Sequence, residues 1–295
     1  MKIILTGSLG NISRPLTKEL VQKGHAVTVI SSKPERQQDI EALGAIAAIG
    51  VLQDTVFLTS AFSGADVVYC MIPPANATEP DRIAYYREIA TNYAQAIQQA
   101  GVKRAIYLSS FGADLDKGTG IILGAHHAEM ILNQLQDTVI THIRPTYFYN
   151  NLFMYVGMIK RLGRIAVNYG GDDKIPMVSP IDIAAAIAGE IEKPAAANQV
   201  RYVSSGEYTG NEIAGMLGAA IGKPDLKWQV ITDQEMQQGL EANGLPAKLA
   251  AGYTEMFASL RNGLLSGDFH QHAPALGKVK LPDFVPAFAV LFNQN

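Results

Sequence analysis

The sequence predicts an α/β chain: a doubly wound parallel sheet followed by a smaller, mostly helical lobe. Three observations carry that prediction. In the first half, short runs that are apolar at nearly every position alternate with stretches whose apolar residues recur every three or four. The first of those runs ends in a glycine-rich turn that opens a helix. After about Asn150 the alternation stops and helix-like stretches dominate.

Lys2 to Leu5 reads as a short buried strand. Ser13 to Lys23 then reads as a helix with Leu16, Leu20 and Val21 on one face and Gly24 as its stop. Ala26 to Ile30 is a second β-branched run. Pro34 opens a helix that ends at Gly44, and Ala45 to Ile49 and Asp66 to Met71 are further strands. Asp81 to Ala100 carries Ile83, Tyr86, Ile89, Tyr93 and Ile97 at helical spacing, and Gly101 ends it. Ala105 to Leu108, a helix over Ile121 to Leu135, and Val139 to Ile143 complete the alternation. Strands apolar on both faces belong to a sheet covered by helices on both sides. The right-handed crossover rule winds such a sheet into a Rossmann-type architecture.

The expected division is residues 1–150 as a dinucleotide-binding domain and 151–295 as a substrate lobe resting on the sheet's carboxyl edge. The chain is expected to return to the sheet around Val200. Helices are expected over Ile181 to Glu190, Thr209 to Ile221, Asp233 to Ala242 and Ala247 to Leu260. Strands are expected at Arg201 to Val203 and Lys227 to Ile231.

Composition narrows the function. With 48% hydrophobic and 17% charged residues, the 295-residue chain is neither disordered nor a coiled coil. Twenty-four Lys+Arg against 27 Asp+Glu, with no basic cluster beyond Lys160, Arg161 and Arg164, argues against a nucleic-acid partner. The lone Cys70 rules out an intramolecular disulfide and suits a reducing, cytoplasmic location. No apolar run reaches the ~18 residues of a membrane helix, and the N-terminal apolar stretch is too short for a secretory signal. No membrane partner is expected.

Thr6-Gly7-Ser8-Leu9-Gly10-Asn11-Ile12-Ser13 lies between the first strand and the first helix. Gly7 and Gly10 hold the first two positions of Gly-x-x-Gly-x-x-Gly, and Ser13 the third. Glycine permits the tight turn and lets backbone N–H groups approach a pyrophosphate, which the helix N-terminus also attracts. The bland alternative is a plain βα turn. An acidic residue at the tip of the second strand would bind a ribose 2′-hydroxyl and favour NAD. Here the tip reads Ile30-Ser31-Ser32-Lys33-Pro34-Glu35-Arg36, with Arg14 beside the loop. Ser32, Lys33, Arg36 and Arg14 suit a 2′-phosphate, so NADP(H) is the expected cofactor, with NAD(H) the alternative. A solvated helix face is the other reading of Lys33 and Arg36.

Together with Gly50-Val51-Leu52-Gln53-Asp54, these motifs resemble the NmrA-like family of atypical short-chain dehydrogenases/reductases. So do Leu108-Ser109-Ser110, the helix from His126 to Glu129, and Ile143-Arg144-Pro145 with Phe148 and Asn150 beyond it. Ser179-Pro180-Ile181-Asp182-Ile183-Ala184 and Ser205-Gly206-Glu207-Tyr208-Thr209 complete the set. That family includes NADPH:quinone reductases and NADP-sensing regulators. The resemblance implies an NAD(P)-dependent oxidoreductase with a quinone-like or other small electrophilic acceptor, or a non-catalytic NADP(H) sensor with a protein partner. Ser32 stands where the family often has arginine, and Val51 where it often has aspartate.

No tyrosine begins a Tyr-x-x-x-Lys pair, so carbonyl reduction by that dyad is disfavoured. A delocalised acceptor needs less proton assistance, because hydride passes directly and positioning supplies most of the catalysis. His126 aligns where relatives place a lysine or histidine beside the nicotinamide ribose, and is the candidate to bind cofactor or supply a proton; His127 is the fallback. Its other reading is an exposed helix histidine. Ser109 and Ser110 end a strand where such a sheet places its ligand, and either face the nicotinamide or cap the turn. Ile72-Pro73-Pro74 is expected to wall the cleft. Tyr147, Phe148 and Asn150 are candidates for an aromatic acceptor pocket, while Phe153 reads more as packing. Cys70 reads as buried filler, Asp182 as a residue that orients a helix, and no metal site is expected.

Overall fold

The structure is a computed structural model and describes residues 1–74 and 81–294. Its strands are β1 (Lys2–Leu5), β2 (Ala26–Ser31), β3 (Ile46–Ile49), β4 (Val67–Met71), β5 (Arg104–Leu108) and β6 (Val139–Pro145). β7 (Tyr147–Phe148), β8 (Arg164–Val167), β9 (Lys174–Val178), β10 (Gln199–Val203), β11 (Gly206–Thr209) and β12 (Lys227–Val230) follow. The helices are α1 (Ser13–Gln22), α2 (Gln37–Glu41), α3 (Thr55–Phe62), α4 (Arg82–Ala100), α5 (Leu123–Leu132) and α6 (Val156–Leu162). α7 (Pro180–Glu192), α8 (Gly210–Ala220), α9 (Asp233–Ala242), α10 (Ala247–Arg261), α11 (Gly267–Gln271) and α12 (Leu281–Gln294) complete them.

Contacts divide the chain into two compact units. The first comprises Met1–Ala113, Gly124–Arg144 and Ile183–Arg201, and the second the rest. In the first, the strands lie in the order β10-β6-β5-β4-β1-β2-β3. Every pairing from β3 to β6 is parallel. The order reverses between β1 and β4, which opens a crevice outside the carboxyl ends of the strands, where doubly wound sheets take their ligands. The expected doubly wound architecture is therefore the one observed.

Both faces of this sheet are covered. Ile4, Val68, Cys70, Ala105 and Tyr107 meet Ile89, Ala90, Tyr93, Ala96 and Ile97 of α4, with Leu58 and Phe62 of α3 behind them. Successive side chains alternate in a strand, so Ile3, Leu5, Tyr69 and Ile106 face the other way, and they too are fully buried. Cys70 is only 1% exposed and burial pushes its thiol up, as expected of filler. Asp81 caps α4 by accepting from the Ala84 N–H, and Gly101 ends it in the left-handed region at φ +68°. α3 has no counterpart among the expected elements. It is short and rich in β-branched and aromatic residues, and Asp54, accepting from the Phe57 N–H, starts it.

The second unit holds more strand than the sequence suggested. β11-β9-β7 form one small sheet, antiparallel between β11 and β9 and parallel between β7 and β9. β8 and β12 form a parallel pair. The C-terminal region is helical, as expected, with α12 as an addition. Phe284 and Phe288 of α12 pack on Phe153 at centroid distances of 5.0 and 6.2 Å, so Phe153 is a packing residue.

Asp182 anchors the segment that leads into α12. Its carboxylate accepts from Ser205 Oγ (2.7 Å) and from the backbone N–H groups of Lys278 and Val279 (3.0 Å each). Asp182→Ala strands all three donors and is expected to lower stability by about 3 kcal/mol in urea unfolding, with faster hydrogen exchange across residues 277–294. An unchanged midpoint would mean that Asp182 does not anchor this segment.

Candidate active site

The glycine loop sits at the carboxyl end of β1, beside the switch point. Gly7 has φ +88° and Ser8 φ +54°. A Cβ on Gly7 would lie 2.7 Å from Met71 Cγ and 3.0 Å from Ser13 Oγ, and one on Gly10 would lie 3.3 Å from the Gly7 carbonyl. Ser13 has a reason to replace the third glycine: its buried hydroxyl donates to the Thr6 carbonyl (3.1 Å), locking the start of the loop to the start of α1. Gly10 N–H closes the turn on the Gly7 carbonyl (3.2 Å).

The N-terminus of α1 has no side-chain cap and no acidic residue in its first turn. The Arg14 N–H is spent on the Gly10 carbonyl (3.0 Å) and Pro15 has none, so what this end offers an anion is chiefly its positive dipole, with the exposed Arg14 side chain in that turn. Leu9 is half-buried, Asn11 exposed and Ile12 buried. The residues present therefore fit a dinucleotide pyrophosphate: a cradle that side chains would fill, open to a helix N-terminus.

The tip of β2 is joined to this loop. Ser8 Oγ donates to Ser31 Oγ (2.9 Å), and Ser31 Oγ accepts from the Lys33 N–H (3.2 Å). Ser32 and Lys33 are exposed. The Lys33 ammonium has no partner among the described residues. Arg36 is paired with Asp39 at 3.1 Å, across one turn and largely in solvent. Such a pair is worth at most about 1 kcal/mol and yields to a phosphate.

Across the switch point, Thr6 and Tyr93 hold the end of β4. Thr6 Oγ1 accepts from the Met71 N–H (2.8 Å), and the buried Tyr93 hydroxyl donates to the Met71 carbonyl (2.6 Å). Ile72 follows buried, Pro73 half-buried and Pro74 exposed; the residues after Pro74 lie outside the described ones until Asp81.

At the end of β5, Ser109 does not cap the turn. Its hydroxyl donates to Glu129 of α5. Arg144, near the end of β6, grips the same carboxylate through both oxygens, Nε to Oε1 at 2.9 Å and Nη2 to Oε2 at 2.7 Å. Both side chains of this pair are under a tenth exposed. Three separate sequence motifs thus meet in one buried network. Ser110 is half-buried and donates to the Phe111 carbonyl (3.0 Å).

His126 lies one turn before Glu129 on α5 and is half-buried. Its Nδ1 is 2.9 Å from the Ala113 carbonyl. A carbonyl only accepts, so Nδ1 carries a hydrogen, and the neutral ring leaves Nε2 as an acceptor. His127 packs edge-on against it at 5.5 Å, and desolvation, then Arg87, pushes the His127 pKa down.

The acceptor-pocket candidates belong to the second unit. Tyr147 is buried, and its hydroxyl joins those of Tyr155 (3.4 Å) and Tyr169 (3.0 Å) in a closed cluster, with Tyr155 also bonded to Tyr169. Desolvation raises the pKa of all three phenols. Phe148 and Asn150 are half-buried.

Sequence reasoning passed over Tyr93, and over the pairing of Glu129 with Arg144. A signal was present for the pair: Glu129 and Arg144 lie on elements with several apolar positions, and buried charges of opposite sign pair.

A doubly wound sheet whose first βα turn is a glycine loop opening on an uncapped helix has the architecture of NAD(P)-binding proteins. The chain belongs to the NmrA-like family, whose model matches residues 1–262. It is 26% identical over 268 residues to an NAD(P)H azoreductase of Xenophilus azovorans, covering 90% of this chain and 89% of that protein. Among solved structures it resembles a nucleoside-diphosphate-sugar epimerase from Staphylococcus aureus (TM-score 0.78, 20% identity, 97% of this chain and 100% of that one). It also resembles an NADPH-dependent quinone oxidoreductase from Escherichia coli (TM-score 0.77, 21% identity, 97% and 98%). At those identities, what the two structures share with this chain is the fold. No helix among the described residues is long and apolar enough to cross a membrane.

Proposed function

We propose that this chain is an NADPH-dependent oxidoreductase that passes hydride to a quinone-like or other small electrophilic acceptor. The coarser reading, an NAD(P)H-dependent oxidoreductase, is supported by family membership and by the azoreductase relative. The observation that carries the finer one is the tip of β2. From Ser31 to Pro34 it has no carboxylate to meet a ribose 2′-hydroxyl, and it presents Ser32, Lys33 and a loosely held Arg36.

In this reading, the loop from Gly7 to Ile12 holds the pyrophosphate through backbone N–H groups other than those of Ser8 and Gly10, which are spent within the protein, with the Arg14 side chain beside it. Ser32, Lys33 and Arg36 hold the 2′-phosphate. Ile72, Pro73 and Pro74 wall the cofactor cleft. Ser109 and Ser110 serve the nicotinamide half, and His126 accepts a ribose hydroxyl at Nε2 or, once protonated there, gives that proton to the reduced acceptor. When bound, the cofactor supplies the hydride. Phe148 and Asn150 are the acceptor candidates of the second unit, because the Tyr147 hydroxyl is committed to its cluster. Reduction of a quinone then balances as one hydride and one proton taken up.

A second reading, an NADP(H) sensor that binds without turnover, is favoured by the absence of any Tyr-x-x-x-Lys pair. One experiment separates the two. Purified protein is mixed with NADPH and a panel of quinones, azo dyes and aldehydes while nicotinamide absorbance is followed. Acceptor-dependent oxidation, slowed in His126→Ala, is expected. The double variant Lys33→Ala/Arg36→Ala is expected to raise the Kd for NADPH about tenfold or more and leave that for NADH unchanged, because only the 2′-phosphate uses those charge-assisted bonds. Tight binding with no oxidation across the panel would sink the enzyme reading and leave the sensor.

A further inference from the structure

We propose that Ser109 recognises the carboxamide of the nicotinamide as a pure hydrogen-bond acceptor, and that Glu129 and Arg144 are the positioning residues that restrict it to that role. The proposal rests on the cofactor reading above and specifies which way the amide is held.

A serine hydroxyl has one proton to give and two lone pairs. Both oxygens of Glu129 accept from the Arg144 guanidinium, so the hydrogen in the contact between Glu129 and Ser109 comes from Ser109. The Ser109 backbone N–H is also spent, on the Ile143 carbonyl at 2.8 Å. What Ser109 can offer a ligand is therefore lone pairs alone. Without the pair, the hydroxyl would rotate and serve either end of an amide. The pair is nearly dry, which keeps its carboxylate from exchanging Ser109 for water.

The ligand group follows from the sheet order. Ser109 stands just past β5, next to β4 and on the far side of the switch point from β2. A dinucleotide lying across that point with its 2′-phosphate at β2 puts its nicotinamide half over β4 and β5. That half carries hydrogen-bond donors only on its ribose hydroxyls and its carboxamide. His126 presents an acceptor, Nε2, for a ribose hydroxyl. The carboxamide N–H is left for Ser109.

The test uses calorimetric Kd values for NADPH and for its acetylpyridine analogue, in which a methyl group replaces the amide nitrogen. The unmodified protein is expected to bind the analogue about tenfold more weakly, the effect of leaving one near-buried acceptor unmet. Ser109→Ala is expected to bring the ratio close to one. Glu129→Gln combined with Arg144→Met should do the same, because with the guanidinium gone the glutamine amide can turn its N–H to Ser109 and free the serine proton. Should that variant not fold, Glu129→Leu combined with Arg144→Met removes the acceptor and both charges together and takes its place. A merely structural network would weaken both ligands alike and keep the ratio, which overturns the proposal, as would a ratio of one in the unmodified protein. NADPH binding that ignores Gly7→Val would instead overturn the cofactor reading itself. Gly7-dependent binding with a ratio of one would overturn the role of Ser109 alone.

Discussion

A Gly7→Val variant is expected to bind NADPH at least about a hundredfold more weakly while the sheet stays folded. Two physical effects add. At φ +88° a side chain is forced against its own carbonyl, a strain of about 1–2 kcal/mol. The new Cβ also lands 2.7 Å from Met71 Cγ, 2.8 Å from its Sδ and 3.0 Å from Ser13 Oγ, and overpacking of that kind costs about 1–3 kcal/mol. The loop relieves both by moving, and it carries the N–H groups that would meet the pyrophosphate. About 3 kcal/mol corresponds to roughly two decades in Kd. Gly7→Ala should fall between, since Met71 can swing part of the way. Gly157→Ala, at a helix position with nothing within 4 Å, is the control and should bind as before. Calorimetry reads the affinity and circular dichroism the fold. Unchanged NADPH affinity in Gly7→Val would remove the glycine loop from the cofactor site.

Truncating Glu129 to alanine is expected to lower stability by about 3–5 kcal/mol, on the order of 10 °C in Tm for a chain of this size. The loss comes from what remains behind. Arg144, with its side chain 8% exposed, keeps its charge and loses a bidentate partner, and Ser109 loses its acceptor. Arg144→Lys keeps the charge but not the fork that reaches both carboxylate oxygens, so it should lose less. The pair Glu129→Gln/Arg144→Met should be milder than Glu129→Ala, because no buried charge is left unpaired. Urea unfolding of the unmodified protein and the three variants ranks these losses. A loss under about 1 kcal/mol in Glu129→Ala would mean that water reaches the pair, whose strength depends on its being dry.

How much of this could be read beforehand varied with the length of the pattern. β1, β2, β4 and β5 announce themselves because each is mostly apolar, β6 through Val139, Ile140 and Ile143, and α4 because its stripe persists for five turns. α3 hides because eight residues, Thr55 to Phe62, are too few to display a helical period and contain poor helix formers. β7, β8, β9 and β11 hide for a related reason. They are two to five residues long, and β8 finds its partner, β12, some sixty residues away. The two units also interleave: residues 114–123 leave the first unit and residues 183–201 return to it.

The sequence by itself determined the layers, the glycine turn, the missing carboxylate at the end of β2 and the membership of a family, because these depend on local period and local backbone freedom. Only the tertiary structure decided how the polar groups are wired. Ser109, Glu129 and Arg144 come from three segments that meet through the register of β5 and β6 and the docking of α5. His126 has its free nitrogen named by a carbonyl thirteen residues earlier, and Tyr147 has its hydroxyl taken by Tyr155 and Tyr169. A residue type states how many protons a side chain can give. Which way each one points depends on partners that the chain brings close only when it folds.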